Sequence, residues 1–410
     1  MSNPAPILSI EKHFRYALTP KESRFNEYFK VWQTREPQWK NRLGDGWVIS
    51  KTLGAGAGGG ASLWEWRGDP KAKNAPKLKQ VVVKLVYDGY EEYPDSYTGL
   101  RGEAAFLDLL RKIPTKHIVH MYGPPKMDDK GHIMYFLEMC PGSALSSVLD
   151  MHLEQELKFP VSETDMWSVF YCLAQAVTVL DRGTEDLSKK RWDRDEIGHY
   201  DMITSNVLIG YCDKVHKRCP VIKIGDFGDA MEVRRIELQT DDIAKIDRQE
   251  RGARACRPPV RAFNTEILKE QRLIDVEHPR HGTCSNVYMV GLIMLGLLDS
   301  QVDVFMPSRG YIVNYNKRLR SGVTNAFHLE DENDIKNAYS QMLRALIMEC
   351  CMKEPLLRPK AVELQERTGM MFQLVQDELI ADTLGNHTCL GLGSENVLLE
   401  DLEPPKEWLI

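Results

Sequence analysis

The sequence predicts an α+β protein of two lobes, a small antiparallel β-rich one followed by a larger, mainly helical one. Three observations predict this. Between Trp47 and Leu137, short runs rich in β-branched and aromatic residues are broken by glycine-rich and polar turns. After Ser143, apolar residues recur at helical spacing over long stretches. The chain has 410 residues, 43% of them hydrophobic and 27% charged, enough for a large core in an ordinary globular protein.

Residues 1–45 form an N-terminal extension. In it Phe25, Tyr28, Phe29 and Trp32 are spaced i, i+3, i+4, i+7, the apolar face of a helix. The main domain covers 46–372, with a small lobe over 46–138 and a large lobe over 142–372. "WVISKTLGAGAGGGASLWEWRG" reads as strand, glycine turn, strand, and "LKQVVVKLVYD" as a further strand after the polar loop "DPKAKNAPK". "LRGEAAFLDLLRKI" has a helical pattern. "HIVHMYG" and "IMYFLEM" are short strands. "SETDMWSVFYCLAQAVTVLDRG", "SNVYMVGLIMLGLLDS" and "SQMLRALIMECCMKEP" are helices of the large lobe. Residues 373–410 are an acidic tail with a proline pair.

A net charge of −6 argues against a nucleic-acid partner, which wants a basic surface. The N-terminus has no charged start followed by an apolar run, so a secretory leader is not expected. The twelve-residue apolar run "VYMVGLIMLGLL" is too short for a membrane span and reads as a buried helix. Nine scattered cysteines contain no CxxC pair, and Cys212 and Cys219 are too loosely placed for a zinc knuckle. Reduced thiols without a metal role, in a cytoplasmic or nuclear protein, are the expectation.

Four stretches carry chemistry. In "LGAGAGGG", Gly54, Gly56 and Gly59 have the spacing GxGxxG, and glycines let a backbone approach phosphates without a Cβ in the way. A dinucleotide fold would need a helix directly after them, whereas "SLWEW" reads as a strand. In "VVVKL", Lys84 sits in an apolar strand and needs a polar partner, since burying an unpaired ammonium is costly. Glu103, on the helix that follows, is a candidate. In "GHYDMITSNVLIG", Asp201 is placed to accept the proton of an attacking hydroxyl and Asn206 to ligate magnesium. "VIKIGDFGDA" runs a strand into Asp226-Phe227-Gly228 and offers a second carboxylate for the metal.

Taken in order, these stretches resemble the eukaryotic protein kinase family over residues 46–372. "YFLEMCPGSAL" is similar to the hinge between kinase lobes, with Leu137 as gatekeeper. "KEPLLRPKAVEL" is similar to the late Asp-Pro-x-x-Arg-Pro element, with Arg358 the matching arginine. The resemblance implies that Gly54, Gly56 and Gly59 cover the phosphates of ATP. It implies that Lys84, paired with Glu103, holds the α- and β-phosphates, and that backbone groups of Glu138 to Cys140 take adenine. Asp201 becomes the catalytic base, and Asn206 and Asp226 the Mg2+ ligands. The implied partner is a protein substrate or a regulatory protein.

The departures are specific. Tyr200 replaces the arginine that grips a phosphorylated activation segment. That segment, from Asp229 to Pro259, carries one hydroxyl residue, Thr240, beside Asp241 and Asp242. Ile203 stands where a serine/threonine kinase places a lysine, and Ser205 where a tyrosine kinase places an arginine. Val260 replaces a glutamate that pairs with the arginine at 358, with Glu266 a substitute, and Asn286 replaces an aspartate that braces the catalytic loop. These features resemble divergent kinase-like proteins of filamentous fungi. The expected activity is an atypical protein kinase for serine or threonine without control by activation-segment phosphorylation. The alternative is a nucleotide-binding pseudokinase acting as scaffold or allosteric partner. A small-molecule kinase would share the Asp-x4-Asn spacing but lack Asp-Phe-Gly.

Overall fold

β1 (Trp47–Gly56) and β2 (Gly59–Trp66) pair antiparallel from Trp47 opposite Trp66 to Gly56 opposite Gly59, with two register shifts that curl β1. β3 (Gln80–Val86) adds to β2 and places Lys84 opposite Ala61. Helix α1 (Leu100–Leu110) buries Glu103, Ala104, Leu107 and Leu110, one face of a helix. β4 (Lys126–Met127) and β5 (Ile133–Leu137) complete a five-stranded antiparallel sheet of order β1-β2-β3-β5-β4. Trp47, Trp64, Val81, Val83, Leu85 and Phe136 form its own core.

The structure, a computed structural model, describes residues 43–56, 59–69, 71, 76–86, 100–127, 133–154, 161–216, 219–235, 280–298, 309–315 and 318–381. The helix expected around Phe25 to Trp32 lies outside the described residues. So do Thr240, Asp241, Asp242, Val260, Glu266 and the tail beyond Ala381.

The large lobe begins with α2 (Leu145–Glu154) and α3 (Glu163–Arg182). Ser162 caps α3 by accepting from the Asp165 N–H at 3.2 Å. Gly183 ends the helix at φ 73°, a left-handed position where a side chain would also strike Trp192. Short strands follow: β6 (Glu196–Gly198), β7 (Val207–Ile209), β8 (Ile222–Ile224) and β9 (Met231–Val233), paired β6 with β9 and β7 with β8. Helix α4 (Thr283–Leu298) is buried along its whole length, which explains a run that is apolar on every side. β10 (Arg309–Tyr315) and β11 (Arg318–Thr324) make a hairpin in this mainly helical lobe. Its end is tied to the turn after α6, where the Lys353 N–H donates to the Val323 carbonyl. Helices α5 (Asn333–Ala338), α6 (Gln341–Cys350) and α7 (Ala361–Ala381) close the fold. α7 packs on α3 through stacked Tyr171 and Phe372, and it runs on to Ala381, past residue 372.

"HIVHMYG" differs from the expected strand. It is a bridging segment whose partners lie first in the large lobe and then in the small one. The Ile224 N–H donates to His117 and the Val119 N–H to Ile224, both at 2.9 Å. The Tyr122 N–H then donates to Phe136 at 2.8 Å and the Glu138 N–H to His120 at 2.9 Å. One stretch of backbone thereby joins β8 of the large lobe to β5 of the small one. Among the described residues, no helix is long and apolar enough to cross a membrane.

Candidate active site

A cleft of about 640 Å3 lies between the lobes. Leu53, Ala61, Val82 and Leu208 give it apolar walls. Gly54 and Gly59 line its roof, Lys84, Glu103 and Asp226 its inner end, and Ser205 and Asn206 its floor. Gly56 pairs with Gly59 at the end of the β1–β2 hairpin. A Cβ at Gly54 would meet nothing within 4 Å, so the space over that backbone is open.

Lys84 reaches across from β3, and its Nζ lies 2.6 Å from Glu103 Oε2 and 3.7 Å from Asp226 Oδ1. Burial works against the Lys84 charge. The two carboxylates outweigh it and push its pKa up to about 12. Burial also pushes the Glu103 carboxyl up, against the pull of Lys84, and the proton shared by the pair belongs on the lysine. The Lys84 charge holds Asp226 below its ordinary value, so this carboxylate is ionised at neutral pH. Asp226 has φ 56°, a left-handed conformation unusual for a non-glycine residue, stabilised by the Gly228 N–H on its Oδ1 at 3.3 Å.

The floor is built around His199. Burial keeps its imidazole neutral by pushing its pKa down. Nε2 donates to the Gly225 carbonyl at 3.0 Å, and Nδ1 accepts from the Asp201 N–H at 3.4 Å. One ring thus ties the residue before Asp226 to Asp201. The Phe227 ring packs on it at 4.8 Å between centroids. Asn206 donates from Nδ2 to the Asp201 carbonyl at 2.8 Å and to Asp201 Oδ2 at 2.9 Å. That fixes the carboxylate and leaves Asn206 with Oδ1, an acceptor suited to a hard cation. An ionised Asp226 carboxylate and this amide oxygen on one cleft fit a magnesium ion.

At the hinge the Glu138 side chain is buried. Its Oε1 accepts from Lys223 Nζ at 2.8 Å and from the His120 N–H at 2.6 Å. The Cys140 thiol is buried and pushed up, by desolvation first and the Glu138 charge second, so it is a neutral thiol. Backbone bonds use the Glu138 N–H and the Cys140 carbonyl. The Glu138 carbonyl and the Cys140 N–H have no backbone partner among the described residues, and both residues line the cleft.

The departures are accommodated in detail. Tyr200, at φ 60°, is 2% exposed and folds its ring against Gly198, where a Cβ would lie 2.6 Å from the ring. Ile203 is 2% exposed and packs in the main core rather than in the cleft. Asn286 donates from Nδ2 to the Ile197 carbonyl at 2.8 Å and accepts the His199 N–H on Oδ1 at 2.9 Å. The brace that an aspartate was expected to supply is therefore present in amide form. Arg358 has three backbone carbonyls as partners, of Met352, Cys284 and Lys353, and lies over the Tyr288 ring. Sequence reasoning had not anticipated the Lys223–Glu138 pair. It had also not anticipated the Ser205 Oγ, buried at the cleft without a hydrogen-bond partner among the described residues.

The model of the protein kinase domain matches residues 47–368. Among solved structures, the chain is similar to one of the CAK complex from Chaetomium thermophilum bound to ATP-gamma-S. The identity is 17%, the TM-score 0.51, and the match covers 82% of this chain and 93% of that one. No curated protein matches the chain. With the two-lobed fold and most of its length matched, the chain belongs to the protein kinase family.

Proposed function

We propose that this protein transfers the γ-phosphate of Mg-ATP to a serine or threonine hydroxyl of a protein substrate, without control by activation-segment phosphorylation. One observation carries the reading: Lys84, Glu103 and Asp226 are joined at the inner end of the cleft, while Asn206 holds Asp201 on its floor. Asp201 accepts the proton of the attacking hydroxyl and orients that oxygen. Lys84 binds the α- and β-phosphates, kept cationic by its two carboxylates. The Glu138 carbonyl and Cys140 N–H take the adenine edge, with Val82 and Leu208 against its faces. Gly54, Gly56 and Gly59 cover the phosphates. Asp226 and Asn206 Oδ1 would hold magnesium, which when bound supplies positive charge against the phosphate oxygens. Tyr200 supports independence from segment phosphorylation, because a buried phenol has no cation for a phosphate.

A second reading, a nucleotide-binding pseudokinase, is favoured by Ile203. Its side chain is in the core, so position 203 supplies no cation to the transferred group. Incubation with Mg-ATP and mixed serine, threonine and tyrosine peptides separates the readings, with the acceptor identified by mass spectrometry. Serine or threonine phosphate is expected. Tyrosine phosphate alone would overturn the specificity, and no transfer by a nucleotide-bound protein would favour the pseudokinase.

A further inference from the structure

We propose that His117, Cys172 and His216 form a buried site for one zinc ion in the large lobe, away from the nucleotide cleft. The three residues come from separate pieces of chain. His117 opens the bridging segment, Cys172 lies midway along α3, and His216 lies in the loop between β7 and β8. Their donor atoms lie within 4.8 Å of one another, and the residues are 2%, 0% and 3% exposed.

The orientation of the rings is the strongest argument. His216 Nδ1 is 3.0 Å from Asp213 Oδ1, and its Nε2 is 3.4 Å from the Cys172 sulfur. His117 Nδ1 is 2.9 Å from Glu185 Oε2. Its Nε2 is buried beside Cys172 and makes no hydrogen bond of good geometry among the described residues. Each imidazole is therefore held by a carboxylate on one nitrogen and turns the other toward the same thiol. Carboxylate-oriented imidazoles are the usual second shell of a zinc site. The carboxylates themselves are engaged elsewhere. Asp213 also binds Lys116 at 2.8 Å and the N–H groups of Val215 and His216, and Glu185 accepts from Thr115 at 2.9 Å.

A thiolate–imidazolium pair of Cys172 and His216 accounts for part of this arrangement without a metal. It leaves the His117 Nε2 beside the same sulfur without a well-formed hydrogen bond among the described residues, which is unfavourable for a buried polar atom. A zinc ion satisfies all three donors. Two imidazoles and one thiolate suit its borderline softness, and a fourth position remains for water. Ligands on tetrahedral zinc lie roughly 3.5 Å apart, so small ring movements close the site. Zinc takes a cysteine sulfur as the thiolate, and the Cys172 sulfur already faces a ring nitrogen of His216. The sequence had suggested that no cysteine has a metal role. The ion would pin His117, whose carbonyl accepts the Ile224 N–H two residues before Asp226.

The test uses the full chain purified without chelators. We expect about one zinc per chain by plasma mass spectrometry. Cobalt substitution is expected to give a thiolate-to-cobalt charge-transfer band, absent in Cys172→Ser. Cys172→Ser and His117→Gln are expected to lower zinc content at least about tenfold. Chelation is expected to lower the Tm of the wild type by about 5 °C, and zinc to restore it. Less than about 0.1 zinc per chain after loading, with a wild-type Tm indifferent to chelator and zinc, would overturn the proposal; this arm needs no variant to fold. Zinc retained by both variants, or copper bound in place of zinc, would overturn it too.

Discussion

The ammonium of Lys84 lies 2.6 Å from the carboxylate of Glu103, across the gap between β3 and α1, and this contact fixes the helix over the cleft. The Glu103 side chain is 1% exposed and that of Lys84 17%. Removing one partner leaves a buried charge, at a cost of about 3 kcal/mol. Lys84→Met is therefore expected to lower stability in urea by that amount and transfer by about 100-fold or more. Adding Glu103→Gln is expected to restore most of the stability and none of the activity. Equal stability of Lys84→Met and wild type would contradict a paired, buried Glu103.

The same contact has a pH signature. The folded pKa of Lys84 is raised from 10.5 to about 12. Its contribution to stability is thus fully present below about pH 10.5 and is lost as pH rises through about 12. ATP affinity is expected to stay constant from about pH 7 to about pH 9. A fall over that range that Lys84→Met abolishes would show a lysine that deprotonates near neutrality.

Asn286 predicts an unusual response to a substitution toward the family's pattern. Its amide donates to Ile197 and accepts from His199 at 0% exposure. Asn286→Asp would place a carboxylate oxygen against the Ile197 carbonyl. We expect a loss of about 2 kcal/mol or more in stability, read by denaturant titration. A more stable Asn286→Asp protein would show that the aspartate pattern is optimal here as well.

Thr240 is the one hydroxyl residue between Asp229 and Pro259. Since Tyr200 offers no cation, Thr240→Ala is expected to keep transfer within about tenfold of wild type, or about 1.4 kcal/mol in barrier. A larger loss, with phosphate found on Thr240 of the wild type, would restore segment phosphorylation as the switch.

Much of the cleft was legible because its residues sit in local patterns. A lysine inside "VVVKL" must find a partner, and Glu103 is that partner. The same signal in "VIKIG" marks Lys223, which was not drawn out and pairs with Glu138 beneath the hinge. Arg358 was expected to lose its usual glutamate partner, with Glu266 as a substitute, because a resemblance tracks carboxylates and the three backbone carbonyls that it binds leave no mark in sequence. His117, Cys172 and His216 are distant along the chain, and only the packing of α3 against two loops brings them together. The β10–β11 hairpin was also not anticipated. "YIVNY" alternates too briefly to stand out in a helical lobe.

The most direct test is a single-turnover measurement of γ-phosphate transfer, with ATP affinity determined on the same samples of wild type and Asp201→Ala. Asp201 is held by Asn206 and meets the neutral His199 through its own N–H. We therefore expect transfer to fall about 1000-fold or more in the variant, with affinity unchanged within about threefold. Equal transfer by both proteins would contradict the assignment of Asp201 as the base, and loss of ATP binding in the variant would make Asp201 a structural residue.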